Sequence, residues 1–306
     1  VVSSSDGNRI VAVSGGFNTE SMVQIFDRRS NNTFTEDAAF VVGQKLIPVG
    51  AELPVGVAIS GDGSTIAVAM DTGVTKIYTN SLGYWAIEQE LSTPSPRSVA
   101  LSFNGDTLAY GSGINNAGFS SGGRVEIFTR TSGVWTSQQS IEGNVDNGRL
   151  GRRVRLSADG NRLLVGGGYI NASSTLFPYN LFERTSETWS LIRQFSFSTS
   201  DPAAEVAISG DGRIVAAAQP RFDASGKTDS GRVIITENTS GTTWVQRAEL
   251  IDFESGEEAG NSALVISNDG SVIAISADSS SSLGSSGGFY VFLRNGNTYQ
   301  EATRIH

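Results

Sequence analysis

The chain has 306 residues, of which 31 are acidic and 22 are Lys or Arg, and a net charge of −9 at neutral pH. This balance disfavours nucleic acids and anionic membranes as partners. The sequence has no cysteine and one histidine, His306, which excludes disulfides, thiolate metal sites, histidine metal clusters and a Ser-His-Asp triad. No GxxxxGK[ST] phosphate loop occurs either, so we expect no cofactor.

One motif recurs along the chain from its first residues to its last: an apolar residue, then Ser-x-Asp-Gly or Ser-x-Asn-Gly, then an apolar run. Asp-Gly or Asn-Gly between two apolar runs predicts a tight hairpin, because both residues tolerate the positive φ of such turns. Six glycines hold the turn position: Gly7, Gly63, Gly105, Gly160, Gly212 and Gly270.

Each turn is followed, after a loop of variable length, by a third apolar strand and then by one aromatic residue that opens a fourth strand. The connection before this aromatic is rich in Gly, Ser, Asn and Thr, which predicts a second hairpin. Aromatics at one fixed position of every repeat favour packing between neighbouring sheets over a sugar-binding platform. They are Phe34, Trp85, Trp135, Trp189, Trp244 and Tyr299.

Four-stranded sheets of this size expose both faces unless they stack, and radial stacking is the usual solution. We therefore predict an all-β, six-bladed β-propeller with four antiparallel strands, a to d, in each blade. One domain spans the chain, from strand a at Val1 to strand d near Ile305. The predicted repeats are 1–50, 51–97, 98–150, 151–203, 204–259 and 260–306.

Three stretches resemble the FG-GAP-type repeats of integrin-α-like propellers: GRLGRRVRLSADGNRLLVGGG, SGGRVEIFTRTSGVW and EEAGNSALVISNDGSVIAISA. The resemblance implies a divergent secreted or surface protein of microbes or algae that acts in recognition or adhesion. Integrin-type blades often carry DxDxDG calcium loops, whereas each turn here offers at most one carboxylate before its glycine. Calcium needs six to eight oxygen ligands, so we expect no metal site.

The loops between strands b and c differ most in length, from 70–73 to 218–232. They emerge on the same face as the connections between blades, and a constant framework with variable loops is typical of a binding surface. We expect loops 111–124, 166–178, 218–232 and 276–288 to form it. Candidate partner-binding residues are the basic Arg149, Arg152, Arg153 and Arg155, the acidic Asp252, Glu254, Glu257 and Glu258, and the aromatic Tyr169, Phe177 and Phe222.

The sequence thus predicts a non-catalytic extracellular or surface module for protein or glycan recognition, for self-association or for a larger assembly. One alternative is a propeller lectin with a pocket in each blade, and another is a glycan-active enzyme with paired carboxylates. Three sequons expected to lie in loops would accept N-glycans in a secreted protein: Asn31, Asn171 and Asn238.

Overall fold

The computed structural model describes residues 1–16, 19–28, 40–46, 52–81, 83–114, 118–167, 179–197, 205–278 and 287–305. In these residues the regular structure is entirely strand, arranged as six antiparallel sheets of four strands. The prediction of six four-stranded propeller blades is confirmed. No helix suited to crossing a membrane occurs in the described residues.

The strands follow the repeat from blade to blade. The first three blades contain Val2–Ser3 (β1), Arg9–Gly16 (β2), Thr19–Arg28 (β3), Phe40–Leu46 (β4), Pro54–Ile59 (β5), Thr65–Met70 (β6), Val74–Ser81 (β7), Tyr84–Ser92 (β8), Ser98–Leu101 (β9), Thr107–Ser112 (β10), Arg124–Thr131 (β11) and Val134–Glu142 (β12). The last three contain Arg153–Leu156 (β13), Arg162–Gly166 (β14), Tyr179–Thr185 (β15), Thr188–Phe195 (β16), Val206–Ile208 (β17), Ile214–Gln219 (β18), Arg232–Ser240 (β19), Thr243–Leu250 (β20), Leu264–Ile266 (β21), Val272–Ala277 (β22), Gly288–Asn295 (β23) and Thr298–Ile305 (β24). Within each sheet the strands pair in chain order, so every blade is built from consecutive residues, as predicted.

The Ser-x-Asp-Gly turn is held by its own side chains. In the second blade the Ser60 hydroxyl donates to Asp62 Oδ1 at 2.5 Å, and the Ser64 amide donates to the same oxygen at 2.9 Å. The Thr65 amide donates to Ser60 Oγ at 3.0 Å, and Gly63 has the positive φ, 72°, that the turn requires. The aspartate therefore serves turn geometry.

Blades pack face to face in chain order. We call the face of a blade toward the next blade its leading face and the opposite one its trailing face. Ala109 and Ile127 on the leading face of the third blade share one core with Leu163, Val165 and Phe182 on the trailing face of the fourth. Such cores hold the blades side by side.

We call the aromatic residue at the start of each fourth strand a member of the aromatic column. The members that the structure describes lie in these cores, and Phe34 lies outside the described residues. Trp135 is buried, with its indole Nε1 donating to Glu88 Oε2 of the preceding blade at 2.9 Å and the Arg130 guanidinium 5.4 Å from its ring centroid. Trp85, Trp189 and Tyr299 are buried in the same manner. The expected packing role is confirmed for these positions, and it disfavours the lectin alternative.

Candidate functional site

Two arginines on the first strand of the fourth blade converge on one carboxylate of the fifth. Arg153 and Arg155 are two residues apart on β13, so their side chains leave the same face of the strand. Arg155 Nη2 lies 2.9 Å from Glu205 Oε2, and Arg153 Nε pairs with Oε1. Glu205 is 4% exposed, so this carboxylate is buried beneath two guanidinium groups.

Further positive charge in this region comes from Arg97, Arg149 and Arg152, since the charges of Arg153, Arg149 and Arg97 all act on the Arg152 guanidinium. We call these five arginines, with Glu205, the arginine cluster. In the described part of the chain no carboxylate pairs with Arg97, Arg149 or Arg152. Burial, followed by the charges of Arg153 and Arg149, lowers the pKa of the Arg152 guanidinium. Five cations and one carboxylate give this region a positive charge in a chain whose net charge is −9.

Burial also lowers the pKa of the Arg155 guanidinium, although the charge of Glu205 opposes the shift. A guanidinium remains charged at neutral pH despite such a shift. The lowered pKa values of Arg152 and Arg155 instead report that the cluster holds cations under mutual repulsion and partial desolvation. A bound anion would relieve both effects.

Close backbone packing fixes the loop that carries Arg149 and Arg152. A Cβ on Gly111 would overlap the Gly151 carbonyl, and Gly123 forms a parallel bridge with the fully buried Leu150. Arg149 has a φ of 56°, an uncommon conformation for a residue with a side chain. The loop is therefore held against the third blade by contacts that only glycine permits.

The acidic candidates have local roles. Glu257 is fully buried, and its Oε2 accepts hydrogen bonds from the Tyr290 hydroxyl at 2.5 Å and the Glu254 amide at 2.7 Å. Lys227 lies 3.4 Å from Glu254 and 3.7 Å from Asp252. The structure therefore places these residues in their own network, apart from the arginine cluster.

Two of the remaining candidates, Phe222 and Asn238, lie in the described part of the chain. Phe222 packs under Arg232, whose guanidinium is 3.8 Å from the ring centroid. Asn238 lies inside β19 and is buried, and its Nδ2 donates to the Gly241 carbonyl at 2.6 Å. Its expected position in a loop is wrong, because β19 continues to the end of the repeated hairpin. The other four lie outside the described residues: Asn31, Tyr169, Asn171 and Phe177.

A cleft of about 690 Å³ opens on the other side of the third and fourth blades, at the turns. Its lining includes Asp159, Asn161 and Arg184. Asp159 accepts hydrogen bonds from Ser157 and Asn161, and Arg184 donates to Asn161 Oδ1 at 2.9 Å. These groups satisfy one another, whereas three guanidinium groups of the arginine cluster have no carboxylate partner in the described chain, so the cluster is the stronger candidate.

Sequence reasoning identified the cluster only in part. Arg149, Arg152, Arg153 and Arg155 are close in sequence and were found by their spacing. Glu205 belongs to the next repeat, and Arg97 enters through its charge effect on Arg152. No local motif marks these two residues, since their proximity depends on the stacking of the blades.

The chain matches no family model and no curated protein sequence. Solved structures are similar in fold. A putative 6-phosphogluconolactonase from Bacteroides uniformis is 14% identical with a TM-score of 0.68, covering 99% of this chain and 84% of that one. The periplasmic gluconolactonase PpgL of Pseudomonas aeruginosa is 15% identical with a TM-score of 0.66, covering 97% and 82%.

Hydrazine synthase from Kuenenia stuttgartiensis is also similar, at 15% identity and a TM-score of 0.61, covering 95% of this chain and 75% of that one. Identities of 14–15% establish the fold alone. The integrin-type resemblance is thus supported at the level of the β-propeller, and these three neighbours are not integrin-type proteins.

These similarities correct the functional expectation from the sequence. The expectation of a non-catalytic recognition or assembly module is contradicted by these similar propellers, one of which is described as a gluconolactonase and another as a putative 6-phosphogluconolactonase. The lack of cysteine and of any histidine other than His306 excludes only chemistry that depends on those side chains. A propeller fold does not decide between recognition and catalysis, and only its site residues can do so.

Proposed function

We propose that this chain is a lactone hydrolase whose substrate carries a negatively charged group, and that the arginine cluster binds that group. The observation that carries the proposal is the unbalanced positive charge of Arg97, Arg149 and Arg152 beside the Glu205 pair. The likeness in fold to a gluconolactonase and to a putative 6-phosphogluconolactonase supports the reaction class.

The chemistry of the cluster suits a phosphate or carboxylate. A guanidinium group presents its donors in a planar fork that matches the oxygens of either anion. Glu205 already occupies Arg153 and Arg155, which leaves Arg97, Arg149 and Arg152 to receive the ligand. One of the similar structures is described as a putative 6-phosphogluconolactonase, and we propose a phosphorylated sugar lactone as the substrate class.

The proposed reaction adds water across the ring ester. The water oxygen attacks the carbonyl carbon, the bond from that carbon to the ring oxygen breaks, and the ring oxygen takes up the proton that the water loses, which gives the open hydroxy acid. Negative charge develops on the carbonyl oxygen during attack, and preorganised N–H donors stabilise such charge.

Glu205 is a positioning residue in this proposal. Each of its carboxylate oxygens is paired with an arginine, which leaves it poorly placed to remove a proton from water. Its role is to hold Arg153 and Arg155 in fixed orientations at the edge of the site.

The test is hydrolysis above the spontaneous rate, measured with 6-phosphoglucono-lactone and with unphosphorylated gluconolactone. We expect a higher kcat/KM for the phosphorylated lactone. The Arg152→Gln variant should lower that value by about 10- to 100-fold, the loss of one charged hydrogen bond to the anion.

The matched control is Arg193→Gln, which removes the same charge from the exposed outer strand of the same blade. This variant should retain full activity on the phosphorylated lactone. Rates equal to the spontaneous rate for both lactones would overturn the proposed function, and equal losses in the two variants would overturn the role of Arg152.

We also propose that the protein acts outside the cytoplasm. The periplasmic location of the similar Pseudomonas aeruginosa gluconolactonase supports this proposal. Fractionation of cells that produce the protein tests it, and recovery from the cytosolic fraction would contradict it. A protein or glycan partner on the loop face stays a prediction.

A further inference from the structure

The six blades are joined by five cores. One cluster of buried apolar residues links each blade to the next, from the first pair to the fifth and sixth blades. Within the described residues, none of the five clusters contains residues of both the sixth and the first blade. The stacking series is therefore open at this point.

A series of hydrogen bonds between neighbouring turns stops at the same place. The Ser5 amide donates to the Gly61 carbonyl at 2.9 Å, and the Phe103 amide donates to the Ala158 carbonyl at 2.8 Å. The last member is the Gly210 amide, which donates to the Asn268 carbonyl at 2.8 Å. No backbone bond between described residues carries the series from Asn268 to the first blade.

The leading face of the sixth blade repeats that of the fifth. Val265 pairs with Ala274 as Ala207 pairs with Ala216, and Phe289 pairs with Ile305 as Val233 pairs with Leu250. The register therefore places Val265 and Phe289 at the positions that the buried Ala207 and Val233 hold in the fifth blade.

Exposure differs sharply at these equivalent positions. Val265 is 54% exposed and Phe289 43%, whereas Ala207 is 3% and Val233 0% exposed. A large apolar side chain that is repeated in register but left in solvent marks a surface that lacks its neighbour. The sixth blade therefore presents a leading face without a cover.

The trailing face of the first blade has the same property. Ile10 pairs with Phe26 as Ile66 pairs with Tyr78 in the second blade. Ile66 and Tyr78 are buried against the first blade, whereas Ile10 and Phe26 are only half-buried. One uncovered face is a leading face and the other is a trailing face. A single blade inserted between them would therefore contact both.

We propose that these two faces hold between them a seventh four-stranded sheet of the same repeat, in the same polypeptide. Toward the sixth blade this sheet presents bulky apolar and aromatic residues, as Ile66, Tyr78 and Trp85 do in the second blade. Toward the first blade it presents a leading face like that of the fifth. Neighbouring repeats of one polypeptide form all five existing interfaces, which is why we assign the sixth and seventh interfaces to the same source.

A second copy of this chain fits the faces less well. If its first blade packed on the sixth blade of the original, its second blade would follow around the same axis toward the original first blade. The remaining blades of the second copy would then collide with the first blade of the original, whereas a single sheet has no further blades to collide. The proposal does not depend on the lactonase function.

The experiment uses single cysteines as probes, because the natural chain has none. Val265→Cys reports on the uncovered leading face, Ala207→Cys on the equivalent covered position, and Glu187→Cys on an exposed hairpin far from both. Thiol labelling rates are measured in the chain as it stands and in a fusion that adds a copy of residues 51–97 after residue 306, each at several protein concentrations.

We expect Val265→Cys to label rapidly in the six-repeat chain and at least about 100-fold more slowly in the fusion. Ala207→Cys should be slow and Glu187→Cys rapid in both. A fusion whose copied Tyr78 and Trp85 are both changed to Asp should leave Val265→Cys rapid. Thermal melts of each variant verify that the six natural repeats are folded.

Three outcomes would overturn the proposal. Slow labelling of Val265→Cys in the dilute six-repeat chain would mean that the first and sixth blades already cover each other. Protection that grows with protein concentration would identify a second copy as the cover. Rapid labelling in a folded, monomeric fusion would show that a sheet of this repeat does not fit between the two faces.

Discussion

At the scale of single residues, Glu205 decides the charge of the candidate site. In the described part of the chain, Glu205 is the one carboxylate of the arginine cluster, and it is buried. Removing one member of a buried ion pair leaves the others without compensation, which costs more than the pair contributes. Glu205 therefore links the stability of the fourth and fifth blades to the affinity for anions.

We expect Glu205→Gln to lower the free energy of unfolding by about 3 kcal/mol, because Arg153 and Arg155 lose their counter-charge. Inorganic phosphate should raise the melting temperature of this variant more than that of the natural chain, because the cluster without its carboxylate binds anions more tightly. Differential scanning fluorimetry with phosphate, against chloride of equal ionic strength, measures both effects. An equal response of the two proteins to phosphate would contradict the assignment of the cluster.

At the scale of elements, the turn between strands a and b explains both the success of the sequence analysis and a pH dependence. Burial opposes ionisation of Asp62, but hydrogen bonds from Ser60 and the Ser64 amide outweigh it and lower the pKa of its carboxyl. At Asp269 the hydrogen bond from Ser267 is the largest cause, and the pKa falls to about 2. The pKa values of Asp6 and Asp159 are also lowered.

These shifts predict a loss of stability in acid. A carboxyl whose pKa is lower in the folded chain stabilises the fold above its unfolded pKa of about 3.9, and this stabilisation disappears as the pH falls through the folded value. We expect the melting temperature to fall progressively between about pH 4 and pH 2. Thermal melts across this range measure it.

Asp62→Asn provides the matched variant, because the third blade already uses Asn104 at the same position with equivalent hydrogen bonds. It should fold and show a shallower loss of stability on acidification. A slope unchanged from that of the natural chain would indicate that Asp62 does not contribute.

The turns could be predicted from the sequence, whereas the candidate site could be predicted only in part. The turns, strands and aromatic column follow from local chemistry, since Ser60, Asp62 and Gly63 contact one another within a few residues. The pairing of Arg153 with Glu205 requires two blades to be stacked, and no residue next to Glu205 signals it. The same limit applies to Glu257, which was grouped with its neighbours by charge but is bound by Tyr290 of a later strand.

At the scale of the whole molecule, stability rests on apolar interfaces and turn hydrogen bonds. In the described residues no group of three or more Asp, Glu or His side chains could hold a metal ion. Calcium requires six to eight oxygen ligands, and each described turn commits its carboxylate or amide oxygen to Ser and backbone partners.

We therefore expect chelators to leave the melting temperature unchanged within about 1 °C, a shift too small for the loss of a bound structural ion. Melts with excess EDTA, and with EDTA followed by excess calcium, test this expectation. A drop of several degrees that calcium reverses would place a metal site in the protein.

The open series of blade interfaces also has a mechanical consequence. A blade in the middle of the series is held on both faces, whereas in the part of the chain that the structure describes the first and sixth blades are each held on one. Under a pulling force applied to the two termini, rupture should therefore begin at an end blade and advance inward one blade at a time, because each repeat contacts only its neighbours. Six repeats in 306 residues correspond to about 180 Å of released contour length for each event, at roughly 3.5 Å per residue.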